Sequence, residues 1–257
     1  MLHVVQHGAP GDRPPLLIAH GLFGSARNWA AMARRLAAGR LVLVPDMRNH
    51  GDSPWDALHD YPALAGDLAE ICARHGGGLD VVGHSMGGKA AMALALLHPG
   101  AVRRLVVGDI APVAYDHTQQ HNIDAMRGLD LAGVGTRAEA DRRLAATVAD
   151  PALRAFFLQS LDLKAEGGPR WRLNLDSLTA NMGAILGWPD MGGRQFAGPV
   201  LFLAGAGSDY VRPDHRAAIR ALFPASAVAR IPGAGHWLHA DRPDAFAAAV
   251  EAFLTRD

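Results

Sequence analysis

The sequence predicts an α/β fold built on a mainly parallel central sheet flanked by helices. Short apolar runs alternate with Ala-, Leu- and Arg-rich stretches of helical pattern, which is typical of successive β-α units. The predicted strands are Leu16–Ala19, Leu41–Val44, Leu79–Val82, Arg104–Val107, Val200–Leu203 and Ala227–Ile231. With 257 residues, 49% of them hydrophobic, the chain is long enough to bury the core of one sizeable domain.

Two further segments complete the core. Leu2–Gln6 predicts a strand, and because a turn-rich stretch separates it from Leu16, we expect it at the sheet edge and antiparallel to its neighbour. Pro243–Leu254 predicts a C-terminal helix. Residues 1–111 and 198–257 are therefore assigned to the core.

The alternation of strands and helices stops between residues 112 and 197, which we call the cap segment. Its pattern is helical without convincing strands, and we expect it to form a helical cap inserted into the single domain. The predicted helices are His121–Arg127, Arg137–Val148, Pro151–Leu161 and Leu173–Ile185.

The charge balance favours a small-molecule partner. Lys plus Arg and Asp plus Glu both number 25, so no excess charge attracts nucleic acid or an anionic membrane. The single cysteine, Cys72, fits a reducing compartment and is expected to pack in the core. The N-terminus lacks the pattern of a secretory signal, and Ala90–Leu97 is too short to span a bilayer. We therefore expect a cytoplasmic protein that binds neither nucleic acid nor membrane.

A G-x-S-x-G motif marks a candidate nucleophile. Gly83-His84-Ser85-Met86-Gly87-Gly88 joins the predicted strand Leu79–Val82 to the helical run Lys89–Leu97. In a strand–turn–helix of this kind the glycines permit a tight, strained turn that exposes the serine hydroxyl at a helix N-terminus. The segment could also be a glycine-rich connection without a catalytic role, but two further motifs lie where serine catalysis needs them and favour the catalytic interpretation.

The first of these is His20-Gly21-Leu22-Phe23-Gly24-Ser25, directly after the strand Leu16–Ala19. Such a loop supplies backbone amides to an oxyanion hole. We predict Leu22 and Met86 as the two donors, with Phe23 as the alternative to Leu22 because the sequence does not show which amide turns inward. We interpret His20 as a structural residue that shapes the loop.

The second is Gly233-Ala234-Gly235-His236-Trp237, between the last strand and the C-terminal helix. A neutral imidazole can take the proton of Ser85 and later return it to a leaving group, so His236 is the candidate general base. Two aspartates compete to orient it: Asp109 follows the strand Arg104–Val107, and Asp209 follows Val200–Leu203. The residue order Ser, Asp, His suits both.

These motifs, together with Asp46-Met47-Arg48-Asn49-His50-Gly51-Asp52-Ser53, resemble the α/β-hydrolase superfamily over essentially the whole chain. The residue sequences of the longer motifs resemble more narrowly those of the YbfF and ABHD11-like esterase group; one of these motifs is Gly108-Asp109-Ile110-Ala111-Pro112-Val113. The resemblance implies an α/β-hydrolase fold, and it favours Asp109 because that group carries its acid in the Asp-Ile-Ala-Pro strand end.

The sequence thus predicts a serine hydrolase that cleaves small carboxylic esters or thioesters through an acyl-enzyme on Ser85. We expect Phe23, Tyr115 and Trp188 to contact the substrate, and we expect no metal and no organic cofactor. A cofactor-free C–C hydrolase or a perhydrolase employs the same triad. A non-catalytic ligand receptor is the alternative from another class, which the intact serine and histidine disfavour.

Overall fold

The computed structural model describes residues 1–255 and contains a seven-stranded sheet. The strands of this sheet and of a small separate ribbon are β1 (Val4–His7), β2 (Leu16–Ala19), β3 (Val42–Pro45), β4 (Leu79–His84), β5 (Val102–Gly108), β6 (Leu161–Asp162), β7 (Arg170–Trp171), β8 (Val200–Gly205) and β9 (Ser226–Ile231). The sheet order is β1-β3-β2-β4-β5-β8-β9, and every pair is parallel except β1 with β3. This confirms the mainly parallel sheet and its antiparallel edge strand.

Helices connect most of the strands. They are α1 (Ala26–Leu36), α2 (Tyr61–Arg74), α3 (Met86–Leu97), α4 (Gln120–Arg127), α5 (Arg137–Leu144), α6 (Pro151–Leu158), α7 (Leu175–Ala180), α8 (Met182–Leu186), α9 (Arg216–Leu222), α10 (Leu238–Asp241) and α11 (Pro243–Leu254). Side-chain caps start several of them; Asp60, for example, accepts a hydrogen bond from the backbone N–H of Ala63. Over residues 1–255, no helix combines the length and the apolar character needed to cross a membrane.

The inner strands β2, β3, β4 and β8 are buried on both faces because they are mostly apolar at successive positions. In β2, Leu16 and Ile18 belong to the core under α1 and α11, whereas Leu17 and Ala19 belong to the core under α2 and α3. All four side chains are fully buried. The strands are thereby held rigidly, and the loops at their carboxyl ends start from fixed positions.

The cap segment lies in the chain between the neighbouring strands β5 and β8 and carries α4 to α8. The prediction of an insert without strands is wrong in one place, since Leu161–Asp162 pairs with Arg170–Trp171 as an antiparallel ribbon. Gly167 and Gly168, with φ of 84° and 112°, reverse the chain between them. Strands of two residues leave no periodic pattern to detect.

The predicted helix Leu173–Ile185 is interrupted at Asn181, which separates α7 from α8. The Asn181 side chain donates to the Ala57 carbonyl at 2.8 Å and accepts from the His59 backbone N–H at 3.2 Å. These bonds tie the cap segment to the loop before α2.

Strand pairing brings the candidate residues together. In the β4–β5 pair His84 lies opposite Gly108, so Ser85 and Asp109, one residue beyond each, emerge side by side. Gly108 in turn pairs with Leu203 of β8. The carboxyl ends of parallel strands open onto one crevice, where α/β proteins bind their ligands.

Candidate active site

Ser85 occupies the tight turn between β4 and α3. Its backbone is in the positive-φ region, with φ 54° and ψ −122°, which is a strained conformation for a residue with a side chain. The flanking glycines make the turn possible: a Cβ on Gly83 would lie 2.3 Å from the Gly87 carbonyl oxygen, and a Cβ on Gly87 would lie 2.3 Å from that of Ala19. The sequence motif therefore adopts the nucleophile-elbow geometry.

The side chains of Ser85, His236 and Asp109 form one hydrogen-bonded chain. His236 Nε2 lies 3.0 Å from Ser85 Oγ, and His236 Nδ1 lies 2.8 Å from Asp109 Oδ2. An ionised carboxylate only accepts hydrogen bonds, so Nδ1 carries the hydrogen and Nε2 is left to accept from the serine hydroxyl. This is the tautomer that base catalysis requires.

The two candidate aspartates differ sharply in their surroundings. Asp109 is fully buried, and besides His236 it accepts from the Gly205 backbone N–H at 2.9 Å and from the Ser208 hydroxyl. Asp209 is exposed and forms neither a hydrogen bond nor an ion pair with any residue of the described chain. The structure thus places Asp109, and not Asp209, against the histidine.

Two backbone amides at the cavity wall beside the nucleophile have no protein acceptor. Those of Leu22 and Met86 form no hydrogen bond within residues 1–255. Gly21, just before Leu22, packs so closely that a Cβ there would lie 3.2 Å from Ser85 Cβ. The prediction of Phe23 as the alternative donor is wrong, because the Phe23 N–H donates to His50 Nε2 at 3.1 Å and is not free to bind a substrate oxygen.

Buried histidines support this constellation. His20 accepts from the Met47 backbone N–H at 2.9 Å through Nε2, which fits the structural role predicted for it. His84 donates through Nε2 to the His236 carbonyl at 2.8 Å, and the ring of His239 stacks on Trp29 with centroids 4.0 Å apart. No local sequence pattern predicts these roles for His84 and His239, because they depend on contacts between distant segments.

These imidazoles are uncharged at neutral pH because burial removes the water that would stabilise a cation. Burial lowers the pKa of His20 to about 4 and the pKa values of His50, His59 and His239 to about 3. It also lowers the pKa of His84 well below 6.5. The site therefore keeps positive charge away from the immediate neighbourhood of the base.

A cavity of about 330 Å³ opens above Ser85 between the core and the cap segment. Most of its wall is apolar, and its large apolar and aromatic lining residues are Leu22, Phe23, Trp29, Tyr61, Met86, Ile110, Tyr115, Leu153, Phe156, Phe157, Ile185, Leu186, Tyr210 and Trp237. Phe23 and Tyr115 thus lie where the sequence predicts substrate contacts. Trp188, the third predicted substrate contact, does not line the cavity; its ring lies 6.0 Å from that of Tyr61, which does, so Trp188 is placed behind the wall.

Lys89 fastens the cap segment to the helix that follows the nucleophile. Its side chain is almost fully buried, and Nζ donates to the carbonyls of Leu186 and Gly187 at 2.9 and 2.6 Å. The ammonium also lies 4.7 Å from the centre of the Tyr115 ring. Burial lowers the pKa of Lys89 to about 7.

Tyr210 and Ser208 also contact the candidate triad, although of this loop only Asp209, between them, is predicted from the sequence as a site residue. The Tyr210 ring stacks on the His236 imidazole with centroids 4.0 Å apart, and Ser208 donates to Asp109. No local pattern marks either residue, since their role depends on how the loop after β8 folds back over the histidine.

The group that most resembles a metal site lies elsewhere. Among residues 1–255, only His3, Asp46 and Asp52 bring three ligand atoms of such types within 4.8 Å of one another. Both carboxylate oxygens of Asp46 already accept backbone hydrogen bonds, from Ala26 at 2.7 Å and Asp52 at 2.9 Å. Asp46 therefore braces the loop that carries these residues.

The fold and the site define the class of protein. The α/β hydrolase fold family matches residues 14–243 of the chain, and the chain belongs to that family.

Relatives and a solved structure narrow the class. The chain is 40% identical over 250 residues to the mouse (Mus musculus) sn-1-specific diacylglycerol lipase ABHD11, a match that covers 94% of this chain and 81% of the relative. It is 36% identical over 246 residues to esterase YbfF of Escherichia coli, covering 95% and 94%. The structure of a marine microorganism esterase, 36% identical, superposes with a TM-score of 0.92 over 98% of each chain. The resemblance to the YbfF and ABHD11-like group is confirmed, and the chain is an esterase- or lipase-like hydrolase of ester bonds.

Proposed function

We propose that the enzyme cleaves short- to medium-chain carboxylic esters or thioesters through an acyl-enzyme on Ser85. One observation carries the proposal: the hydrogen-bonded chain from Asp109 through His236 reaches Ser85 at the wall of an apolar cavity, beside two amides that have no acceptor within residues 1–255. Nucleophile, base, orienting carboxylate and oxyanion donors are the parts that acyl transfer requires.

Acylation begins with attack of Ser85 Oγ on the acyl carbonyl carbon while His236 Nε2 removes the hydroxyl proton. The carbonyl oxygen becomes an oxyanion that accepts from the Leu22 and Met86 amides, and each donor lowers the barrier by roughly 3 kcal/mol. The tetrahedral intermediate then collapses. The alcohol oxygen or thiol sulfur leaves with the proton from His236, and the acyl group remains esterified to Ser85.

Deacylation repeats these steps with water as the nucleophile. His236 Nε2 removes a proton from the water as its oxygen attacks the acyl carbon, and the same two amides hold the oxyanion. Collapse breaks the bond to Ser85 Oγ, which recovers its proton from His236. The products are a carboxylic acid and the free enzyme.

Because the cavity wall is mostly apolar, we expect an apolar acyl group to be the part of the substrate that is buried there. Phe23 lies on the core side of its wall, while Phe156 and Tyr115 come from the cap segment. Because the mouse relative is described as a diacylglycerol lipase, we include acylglycerols among the proposed substrates. The same acylation and deacylation steps apply to oxygen esters and to thioesters, so both are included among the substrates to be tested.

The proposal is tested by labelling with a fluorophosphonate and by hydrolysis of p-nitrophenyl esters, acyl-CoA thioesters and monoacyl- and diacylglycerols. Wild type should be labelled once and should hydrolyse members of the panel, whereas Ser85→Ala should lose both properties. Ser226→Ala, on the far edge strand β9, is the matched control and should behave as wild type. Absence of labelling in wild type would favour the receptor. Labelling without hydrolysis of any ester would favour the C–C hydrolase or perhydrolase.

A further inference from the structure

The base is covered on one face by an aromatic ring. The Tyr210 ring and the His236 imidazole have centroids 4.0 Å apart and planes inclined by only 23°. The Tyr210 hydroxyl lies 2.8 Å from Nε2 of His117, a residue of the cap segment. A continuous line of contacts therefore leads from the cap segment through a phenol ring to the base.

We propose that Tyr210 is a positioning residue that stabilises the imidazolium form of His236 through its ring face, and that His117 strengthens this effect by accepting the phenol hydrogen. The inference rests on the proposed function, in which His236 becomes positively charged in each transition state. A cation is attracted to the electron-rich face of an aromatic ring, most strongly where water is excluded.

The groups around His236 leave this role open to the ring. Five ionisable residues face the base: Asp109 after β5, His84 at the end of β4, His239 in α10, Tyr210 after β8 and His117 in the cap segment. Of these, Asp109 supplies the one formal negative charge. Burial lowers the pKa values of the three neighbouring histidines and raises that of Tyr210, so these four groups are uncharged at neutral pH.

The Tyr210 backbone is anchored independently of its side chain. Its N–H donates to the Ser208 hydroxyl at 3.3 Å, and its carbonyl accepts from the Tyr115 hydroxyl at 2.7 Å. Substitution at position 210 therefore leaves both main-chain contacts available. This allows the ring and the hydroxyl to be removed separately.

The hydroxyl has its own contribution. A phenol that donates its hydrogen to a neutral imidazole keeps more electron density on its oxygen and ring, which makes the ring face more attractive to a cation. Removing the hydroxyl as Tyr210→Phe, or the acceptor as His117→Ala, should weaken the same interaction to the same small extent.

The experiment compares wild type, Tyr210→Phe and Tyr210→Leu in p-nitrophenyl butyrate hydrolysis between pH 5 and 9. Tyr210→Leu should lose roughly 5- to 30-fold in kcat, the range expected for loss of a partly desolvated cation–π contact. The acidic limb of its pH–rate profile should move to lower pH by about 0.7 to 1.5 units, because a less stabilised imidazolium loses its proton at lower pH and a tenfold change corresponds to about one unit. Tyr210→Phe should retain kcat within about threefold of wild type, since the ring remains.

The result that would overturn the proposal is an equal loss in the Phe and Leu variants, a Leu variant with wild-type kcat, or a fall in kcat with an unmoved acidic limb, which would indicate a packing role alone. His117→Ala should cost about as much as Tyr210→Phe and nothing further in the Tyr210→Phe background; additive losses would remove His117 from the proposal. Fluorophosphonate labelling separates the two hypotheses. If wild type is not labelled, the proposed function fails, whereas labelled variants with unchanged kinetics refute only the role of Tyr210.

Discussion

Replacing Asp109 by asparagine tests the hydrogen-bonded chain at its fully buried member. The carboxylate accepts from the Gly205 N–H on one oxygen and from His236 Nδ1 and the Ser208 hydroxyl on the other. An amide that keeps its oxygen on Gly205 presents its NH₂ group to His236. The imidazole must then offer a lone pair at Nδ1 and carry its hydrogen on Nε2.

In that tautomer His236 cannot take the proton of Ser85. We expect kcat to fall roughly 10⁴-fold, the effect known for the same carboxylate-to-amide exchange in serine proteases, which corresponds to about 5 kcal/mol of barrier. The buried site also loses a charged acceptor, so we expect the free energy of unfolding to fall by about 1–3 kcal/mol. The activation barrier should therefore rise by more than the free energy of unfolding falls.

The assay is steady-state hydrolysis of p-nitrophenyl butyrate, with thermal unfolding of each variant to show that it is folded. Asp209→Asn is the matched control, because it makes the same chemical change at an exposed residue with no partner in the described chain. Its kcat should stay within about twofold of wild type. The reasoning would be refuted if folded Asp109→Asn kept kcat within tenfold of wild type, or if Asp209→Asn lost more.

Three further predictions concern the groups around the triad. Gly87→Ala should lower the free energy of unfolding by at least ~2 kcal/mol, because its Cβ would lie 2.3 Å from the Ala19 carbonyl oxygen; an unchanged calorimetric Tm would contradict this. His50→Ala removes the acceptor that holds the Phe23 amide, so kcat per active site, titrated with fluorophosphonate, should fall by about 10- to 100-fold with KM nearly unchanged. A rise in KM alone would argue against a role of His50 in positioning the oxyanion loop. Burial lowers the pKa of Lys89 to about 7, so between pH 7 and 10 the unfolded chain binds a proton at Lys89 that the folded chain does not. Over that range the free energy of unfolding of wild type, measured in urea titrations, should rise by on the order of 2–4 kcal/mol relative to that of Lys89→Met, and parallel stability curves would contradict this.

The sheet and the nucleophile could be predicted because each has a local signature. Four-residue apolar runs such as Leu16–Ala19 define a strand buried on both faces. The glycines around Ser85 are required because a Cβ at Gly83 or Gly87 would lie only 2.3 Å from a backbone carbonyl oxygen. The choice between Asp109 and Asp209 had no such basis. Both follow neighbouring strands, and only the backbone beyond each strand decides which side chain turns inward.

What the sequence could not predict depends on distant segments meeting. The sequence leaves Phe23 open as an alternative oxyanion donor, whereas in the structure its amide donates to His50, 27 positions along the chain. Tyr210 reaches His236 because the loop after β8 folds back over the base, and nothing in its neighbouring residues encodes that path. Trp188 is expected from the sequence to contact substrate as an aromatic residue of the cap segment, but it lies behind the cavity wall, next to Tyr61.

Because of its buried histidines, the folded chain binds fewer protons in acid than the unfolded chain does. His20, His50, His59 and His239 stay unprotonated in the folded chain until the pH is near 4 or below, and burial lowers the pKa of His84 well below 6.5 as well. In the unfolded chain each of the five binds a proton near pH 6.5. Their neutral burial costs nothing above pH 6.5. As the pH falls from there, unfolding takes up as many as five protons, and stability declines by up to about 7 kcal/mol per pH unit.

Since whole domains are stable by only about 5–15 kcal/mol, one to two pH units of acidification exhaust that margin. Proton uptake on unfolding therefore limits the stability of the folded enzyme in acid. Unfolding near pH 5 should consume several protons per molecule in an unbuffered calorimetric experiment.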